Sequence, residues 1–110
     1  MPRAPTTLDP FNAVAEPKRR LVLEAIGSDE RQVNDIIHSL GWPQPMVSKH
    51  LAVLKEVGLV SVRRDGRRRL YKVEGSKLKQ IHDWAKTFER LWDHQLQRIK
   101  ERAEKKARGQ

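Results

Sequence analysis

The sequence predicts a mainly α-helical domain with one small β-hairpin, and three observations predict it. Val33, Ile36, Ile37 and Leu40 stand at i, i+3, i+4 and i+7, and a second apolar stripe (Val47, Leu51, Leu54, Val57) follows after Gly41-Trp42-Pro43. From residue 59 the period changes: Val60 and Val62 alternate with Ser61 and Arg63 ahead of Asp65-Gly66, a hairpin turn dipeptide. Beyond Ser76 the helical spacing returns and carries Leu78, Ile81, Ala85, Phe88, Trp92 and Ile99.

Taken in order, residues 1–7 hold two prolines and little apolar surface, which reads as a flexible arm. Residues 8–15 suit a short helix with Leu8, Phe11 and Val14 on one side. Pro17 suits the first position of the next helix, where Val22, Leu23 and Ile26 turn inward and Gly27 stops it. The striped helix comes third, and a fourth spans residues 44–57, ended by Gly58. Two such helices around a short glycine-containing turn predict a helix-turn-helix. The hairpin over residues 59–73 directly after it predicts a wing. With Asp65-Gly66 as the turn residues, Arg64 faces Arg67 and Arg63 faces Arg68.

From a cap at Ser76, one long helix is expected to run towards Lys105. Trp84, Phe88 and Trp92 share its apolar stripe, flanked by Leu91. A helix so long in so small a domain cannot bury its whole stripe, so the surplus is expected to pack on a second copy. An aromatic ligand pocket is the alternative. Residues 104–110 read as a frayed basic tail, leaving residues 8–103 as the folded domain.

Charge is unevenly placed. The 110 residues carry 23 Lys and Arg against 14 Asp and Glu, a formal net charge of +9. Residues 1–62 hold 7 basic and 7 acidic side chains, and residues 63–110 hold 16 and 7, so the excess lies in the second part. Its densest stretch, Arg63-Arg64-Asp65-Gly66-Arg67-Arg68-Arg69, flanks the hairpin turn and predicts a polyanion partner. Cysteine is absent, which excludes disulfides and thiolate chemistry. No apolar run approaches the ~18 residues of a membrane span, and no signal-peptide pattern opens the chain. The expectation is a cytoplasmic protein without membrane partners.

The runs Phe11-Asn-Ala-Val-Ala-Glu-Pro-Lys-Arg-Arg-Leu-Val-Leu and Gln44-Pro-Met-Val-Ser-Lys-His-Leu-Ala-Val-Leu-Lys-Glu-Val-Gly-Leu-Val, with Asp65-Gly-Arg-Arg-Arg-Leu-Tyr, carry a resemblance. Over about residues 8–100 the chain resembles the ArsR/SmtB-type winged helix-turn-helix repressors. The resemblance implies a homodimeric repressor, assembled through its first helix and a long C-terminal dimerisation helix, that displays two recognition helices to double-stranded DNA. It implies a dimer interface of Phe11, Ile81, Trp84, Phe88, Leu91 and Trp92, and an ion-pairing role for Arg19.

The metal-sensing branches of that family are not matched. Gln32-Val-Asn-Asp-Ile-Ile-His lacks the Cys-x-Cys pair, and Gln80-Ile-His82 with Asp93 and Leu96 keeps one of four zinc ligands. Zinc needs three or four converging donors, so neither metal nor cofactor is expected. A small-molecule inducer of unknown identity remains a partner class. Pro43 replaces the Ser or Thr that caps the recognition helix in relatives, leaving the cap to Gln44 or to the turn backbone, with Pro45 opening the helix.

With Val47, Leu51 and Leu54 inward, Gln44, Pro45, Ser48 and Lys49 face outward at the start of the helix. Gln44 suits bidentate bonding to adenine, Ser48 donates or accepts, Lys49 reaches guanine or phosphate, and Pro45 offers contact to a thymine methyl. Capping by Gln44 and phosphate contact by Lys49 are the plainer roles. Arg63, Arg64, Arg67, Arg68 and Arg69 are candidates for phosphate or minor-groove contact, with Arg64 and Arg67 foremost at the tip. His50 borders the buried stripe and reads as a packing residue. No glycine-rich phosphate loop or nucleophile–base pair appears, and Ser48 and His50, two apart, face different ways on a helix, so no enzyme is expected. The alternative is a basic winged helix that binds RNA, non-specific DNA or a protein without sequence readout.

Overall fold

Local backbone chemistry sets the helix boundaries. The computed structural model describes residues 8–109; the arm expected over residues 1–7 lies outside the described residues. Helix α1 (Pro10–Ala15) opens with the Asp9 carboxylate accepting from the Asn12 N–H at 2.8 Å. Helix α2 (Pro17–Ile26) follows, with Pro17 in its first turn, where no N–H is missed. Arg19 donates to the Ala13 carbonyl at 2.7 Å and Arg20 to the Val14 carbonyl at 2.6 Å, so two α2 cations satisfy the last carbonyls of α1. The ion pair expected of Arg19 is therefore replaced by a backbone bond. Helix α1 buries Pro10 and Ala13 and leaves Phe11 exposed; Leu8, expected within it, precedes the Asp9 cap and is exposed as well.

Strand β1 (Arg31–Gln32) precedes α3 (Val33–Leu40) and α4 (Gln44–Glu56), and β2 (Val60–Asp65) and β3 (Arg68–Val73) form the wing. The end of α4 is a Schellman motif: the Leu59 N–H reaches the Leu54 carbonyl at 2.9 Å and the Gly58 N–H reaches Lys55 at 3.1 Å. Gly58, at φ +81°, supplies the left-handed step that aims the chain from helix into wing. Leu54 and Leu59, brought together by that turn, are both fully buried.

The sheet is antiparallel in the order β1-β3-β2, so the hairpin gains a third strand that the sequence pattern does not predict. Arg31 pairs with Tyr71 and Gln32 with Leu70. The hairpin register also differs from expectation. Asp65 pairs with Arg68 and Arg64 with Arg69, so the two turn residues are Gly66-Arg67 rather than Asp65-Gly66. Gly66 takes φ +64° while, among the described residues, no non-glycine residue has positive φ, the pattern of a type II′ turn with glycine first.

The described residues form two compact units, one ending at Gln80 and the other beginning at Ile81. In the first, Val22, Ile36, Val47, Leu51, Leu54 and Leu59 form the fully buried centre, with the base of the wing (Val60, Tyr71) closing it. Helix α5 (Gly75–Lys86) adds Leu78 to that core. In place of a single helix capped by Ser76, the C-terminal segment is α5, a tight turn at Thr87-Phe88, and α6 (Glu89–Ala107). The Thr87 hydroxyl donates to the Trp84 carbonyl at 2.7 Å, and the Thr87 N–H bonds the same carbonyl at 3.1 Å, which tightens the chain and ends α5. Helix α6 continues through residues 104–107, where the sequence predicts fraying.

Candidate nucleic-acid interface

Helix α4 starts without a side-chain cap. The Pro43 carbonyl accepts from the Met46 and Val47 N–H groups at 3.1 and 3.3 Å, and Gln44 and Pro45 are the first two helical residues. Gln44 is thus released from the capping role open to it in the sequence. Val47, Leu51 and Leu54 lock one side of the helix into the core, so Gln44, Pro45, Ser48, Lys49 and Ala52 lie exposed on the other. Gln44, Ser48 and Ala52 are spaced i, i+4, i+8, one row along the helix; Pro45 and Lys49 form the adjacent row. None of the Gln44, Ser48 and Lys49 side chains bonds another described residue, which leaves their donors and acceptors available.

His50 sits at the border of this face. Its ring packs edge-on against Trp42 at 6.4 Å, and its Nδ1 is buried without a hydrogen-bond partner among the described residues. Burial, assisted by the nearby cations Arg19, Lys18 and Lys49 and opposed by Glu16, holds its pKa below the ordinary histidine value. It is a packing residue.

The wing divides its arginines by strand alternation. Arg64 and Arg69 are cross-strand partners on the face that carries Val62 and Tyr71; Arg63, Asp65 and Arg68 lie on the opposite face. On that opposite face the charges are matched. Glu30 receives Arg63 Nε on both oxygens, at 2.9 and 3.0 Å, and Nη2 at 2.8 Å. Arg68 lies 2.7 Å from Asp65. The hydrogen bond from Arg63 holds the Glu30 carboxyl below the usual carboxylate range, and Glu30 raises Arg63 in return. Arg64, Arg67 and Arg69 have no acidic partner among the described residues. The tip pair expected from the sequence, Arg64 with Arg67, is replaced by Arg64 with Arg69, because the turn lies one residue later. Arg31 is also engaged, donating to the Ala25 carbonyl near the end of α2.

Helix and wing meet at a hollow of about 370 Å³ lined by Gln32, Val33, Asn34, Gln44, Arg67, Arg68 and Arg69. A second hollow, about 250 Å³, lies between the end of α4 and the wing, lined by Lys55, Val62, Arg63, Arg64, Arg69 and Tyr71; Arg63 borders it although its guanidinium is bound to Glu30. Arg69 borders both. The first residue of α4 and the return strand of the wing therefore belong to one continuous cationic surface.

In the second unit, Trp84, Phe88, Leu91 and Trp92 are 42–56% exposed, with Trp84 and Phe88 in edge-on contact at 5.4 Å. Ile99, on the stripe expected from the sequence, and Leu96, which was not placed on it, are both 62% exposed and extend this apolar display. Ile81 is half-buried. A hollow of about 420 Å³ beside Trp92 is bordered by His82, Glu89 and Asp93. Among the described residues no group of three or more His, Asp or Glu side chains is placed to hold a metal, and no helix is long and apolar enough to cross a membrane.

Residues 16–62, from the start of α2 into the wing, match the family described as bacterial regulatory protein, arsR family. A crystal structure of a possible transcriptional regulator for arsenical resistance superposes with a TM-score of 0.67 and 35% identity, covering 74% of this chain and 85% of that one. The chain belongs to the arsR family. Family members are regulatory proteins. The HTH-type transcriptional regulator KmtR of Mycobacterium tuberculosis is 37% identical over 71 residues, 64% of this chain and 55% of KmtR. The chain thus spans about half the length of the curated relatives named SmtB and KmtR that it matches. A homodimeric winged helix-turn-helix DNA-binding domain from Mycobacterium bovis superposes with a TM-score of 0.60 at 28% identity, covering 71% of this chain and 72% of that one.

Proposed function

We propose that the chain is a sequence-specific, double-stranded-DNA-binding transcriptional regulator, acting as a homodimeric repressor on a palindromic operator. The observation that carries this reading is the continuity between the open row on α4 and the acid-free arginines of the wing, joined at the hollow shared by Gln44 and Arg69. Helices of this kind enter the major groove by their N-terminal turns. Gln44 bonds the N6/N7 edge of an adenine, Ser48 and Lys49 read or flank the next positions, and Pro45 packs on a thymine methyl. Arg64 and Arg69 meet phosphates, and Arg67 at the turn reaches the minor groove. The exposed Trp84, Phe88, Leu91 and Trp92, with Ile81 and Phe11, cover one another across a two-fold axis. The homodimeric Mycobacterium bovis relative supports that assembly.

Footprinting on the upstream DNA of its own gene supplies the operator, and Gln44→Ala then tests the readout. The variant is expected to cost about 1–3 kcal/mol on the operator and little on a random duplex of equal length, measured at one salt concentration. Equal losses on both would reduce α4 to a phosphate clamp and favour the alternative of a basic winged helix without sequence readout.

A further inference from the structure

A cationic wing binds any phosphate backbone, and a regulator that must find one site among many random ones loses by excess charge. The five wing arginines are not five free charges. Two are matched by acids, and the two acids differ in origin. Asp65 is part of the wing itself and meets Arg68 three residues away. Glu30 is not. It lies in the segment before β1, 33 residues from Arg63 in sequence, and grips that guanidinium through both carboxylate oxygens.

Its placement follows from the sheet order. Glu30 adjoins β1 at one edge, whereas Arg63 is on β2 at the other, so the pair spans the face of the central strand β3. Lys72 of β3 adds a second attraction to the carboxylate there, and Asp65 a weaker repulsion. Both partners are exposed, at 58% and 35% of their side-chain surface, so the pair adds little to folding. Its geometry, fork on fork, is nevertheless the one that holds a guanidinium most firmly.

We infer that Glu30 is a specificity-determining residue: by holding Arg63 across the sheet, on the face opposite Arg64 and Arg69, it withholds one arginine from the DNA backbone. The inference rests on the DNA-binding reading of α4 and the wing. On an operator, α4 fixes the pose and the Arg64/Arg69 face meets the phosphates, so Arg63 has little to gain from release. On random DNA the protein slides and tilts into whichever pose meets most phosphates, and a released Arg63 joins them. Glu30 therefore suppresses the non-specific complex more than the specific one.

The test compares Glu30→Gln with Glu24→Gln in the full chain. Both raise the net charge by one, but Glu24 is exposed on α2 and bonds no arginine of the wing. Affinities for the footprinted operator and for a random duplex are measured by fluorescence anisotropy across a salt series. Glu30→Gln is expected to tighten random-duplex binding by about fivefold at low salt. It should steepen the random-duplex salt slope by about 0.9, one additional phosphate. Operator binding should gain less, so the specificity ratio falls, and Glu24→Gln should do neither. An unchanged random-duplex slope, an equal effect of Glu24→Gln, or weaker binding to both duplexes would overturn the inference. Failure of the wild-type chain to distinguish operator from random duplex would instead overturn the DNA-readout reading, with the slope difference between the two variants still deciding the hold on Arg63.

Discussion

Replacing Arg64 and Arg69 together by alanine removes the two cross-strand arginines that have no acid beside them, while Arg68→Ala removes one already matched by Asp65 at 2.7 Å. The structure therefore predicts different salt responses from variants of the same residue type. Each neutralised phosphate contributes about 0.9 to the slope of log affinity against log salt, so the double variant should lose about 1.8. Between about 50 and 200 mM salt, each contact costs the wild-type protein about 3.5-fold in affinity, and two cost about 12-fold. The double variant should be spared that 12-fold decline while binding more weakly at low salt. Arg68→Ala should leave the slope unchanged and weaken binding modestly at every salt concentration, because it uncovers the Asp65 carboxylate. Titration of a labelled random duplex across this range measures both. The reasoning fails if Arg68→Ala lowers the slope as much per residue as the double variant does, or if the double variant keeps the wild-type slope.

Two further outcomes are expected. Trp84→Glu, which places a charge within the exposed apolar display of Trp84, Phe88 and Trp92, should convert a dimer into monomer at micromolar concentration in sedimentation equilibrium; a wild-type chain that is monomeric there would refute the assembly. Because burial depresses the His50 pKa, the unfolded chain binds more protons below the ordinary histidine value near 6.5, so stability is full above that pH and declines as pH falls towards the folded pKa. Urea midpoints should therefore drop between about pH 7.5 and 5.5 in the wild type; if His50→Gln shows the same drop, another group is responsible.

The helix-turn-helix was legible because its signals are local and redundant: the stripe ending at Leu40, Gly41, and the stripe from Val47 to Val57 each constrain the next. The outward row from Gln44 to Lys49 followed from which residues had to turn inward. The wing register was less legible, since Asp65-Gly66 and Gly66-Arg67 are both acceptable two-residue turns, and the choice between them moves every cross-strand partner by two residues, Arg64 from Arg67 to Arg69. Strand β1 is two residues long and exists only because Tyr71 and Leu70 offer it an edge. The turn at Thr87-Phe88 has neither glycine nor proline to announce it; a hydroxyl bonded to a carbonyl does the work. The Glu30–Arg63 pair joins segments whose proximity depends on the finished sheet, so no pattern in the sequence could assign either residue its partner.

The sheet order leaves β2 as an outer strand, with no described segment pairing along its far side. An open strand is a template, and two copies meeting there could zip together backbone to backbone and build fibres in place of soluble dimers. Val60 and Val62, apolar and β-branched, would favour such pairing if the strand continued in kind. Arg63 and Arg64 interrupt it: a second chain laid antiparallel would bring their guanidinium groups against its own, and Arg63 is tethered out of line as well. The wing's cations thus oppose edge-to-edge pairing of two copies, apart from any role in binding. Variants stripped of them should be judged for aggregation at high concentration as well as for affinity, since both properties draw on the same few side chains.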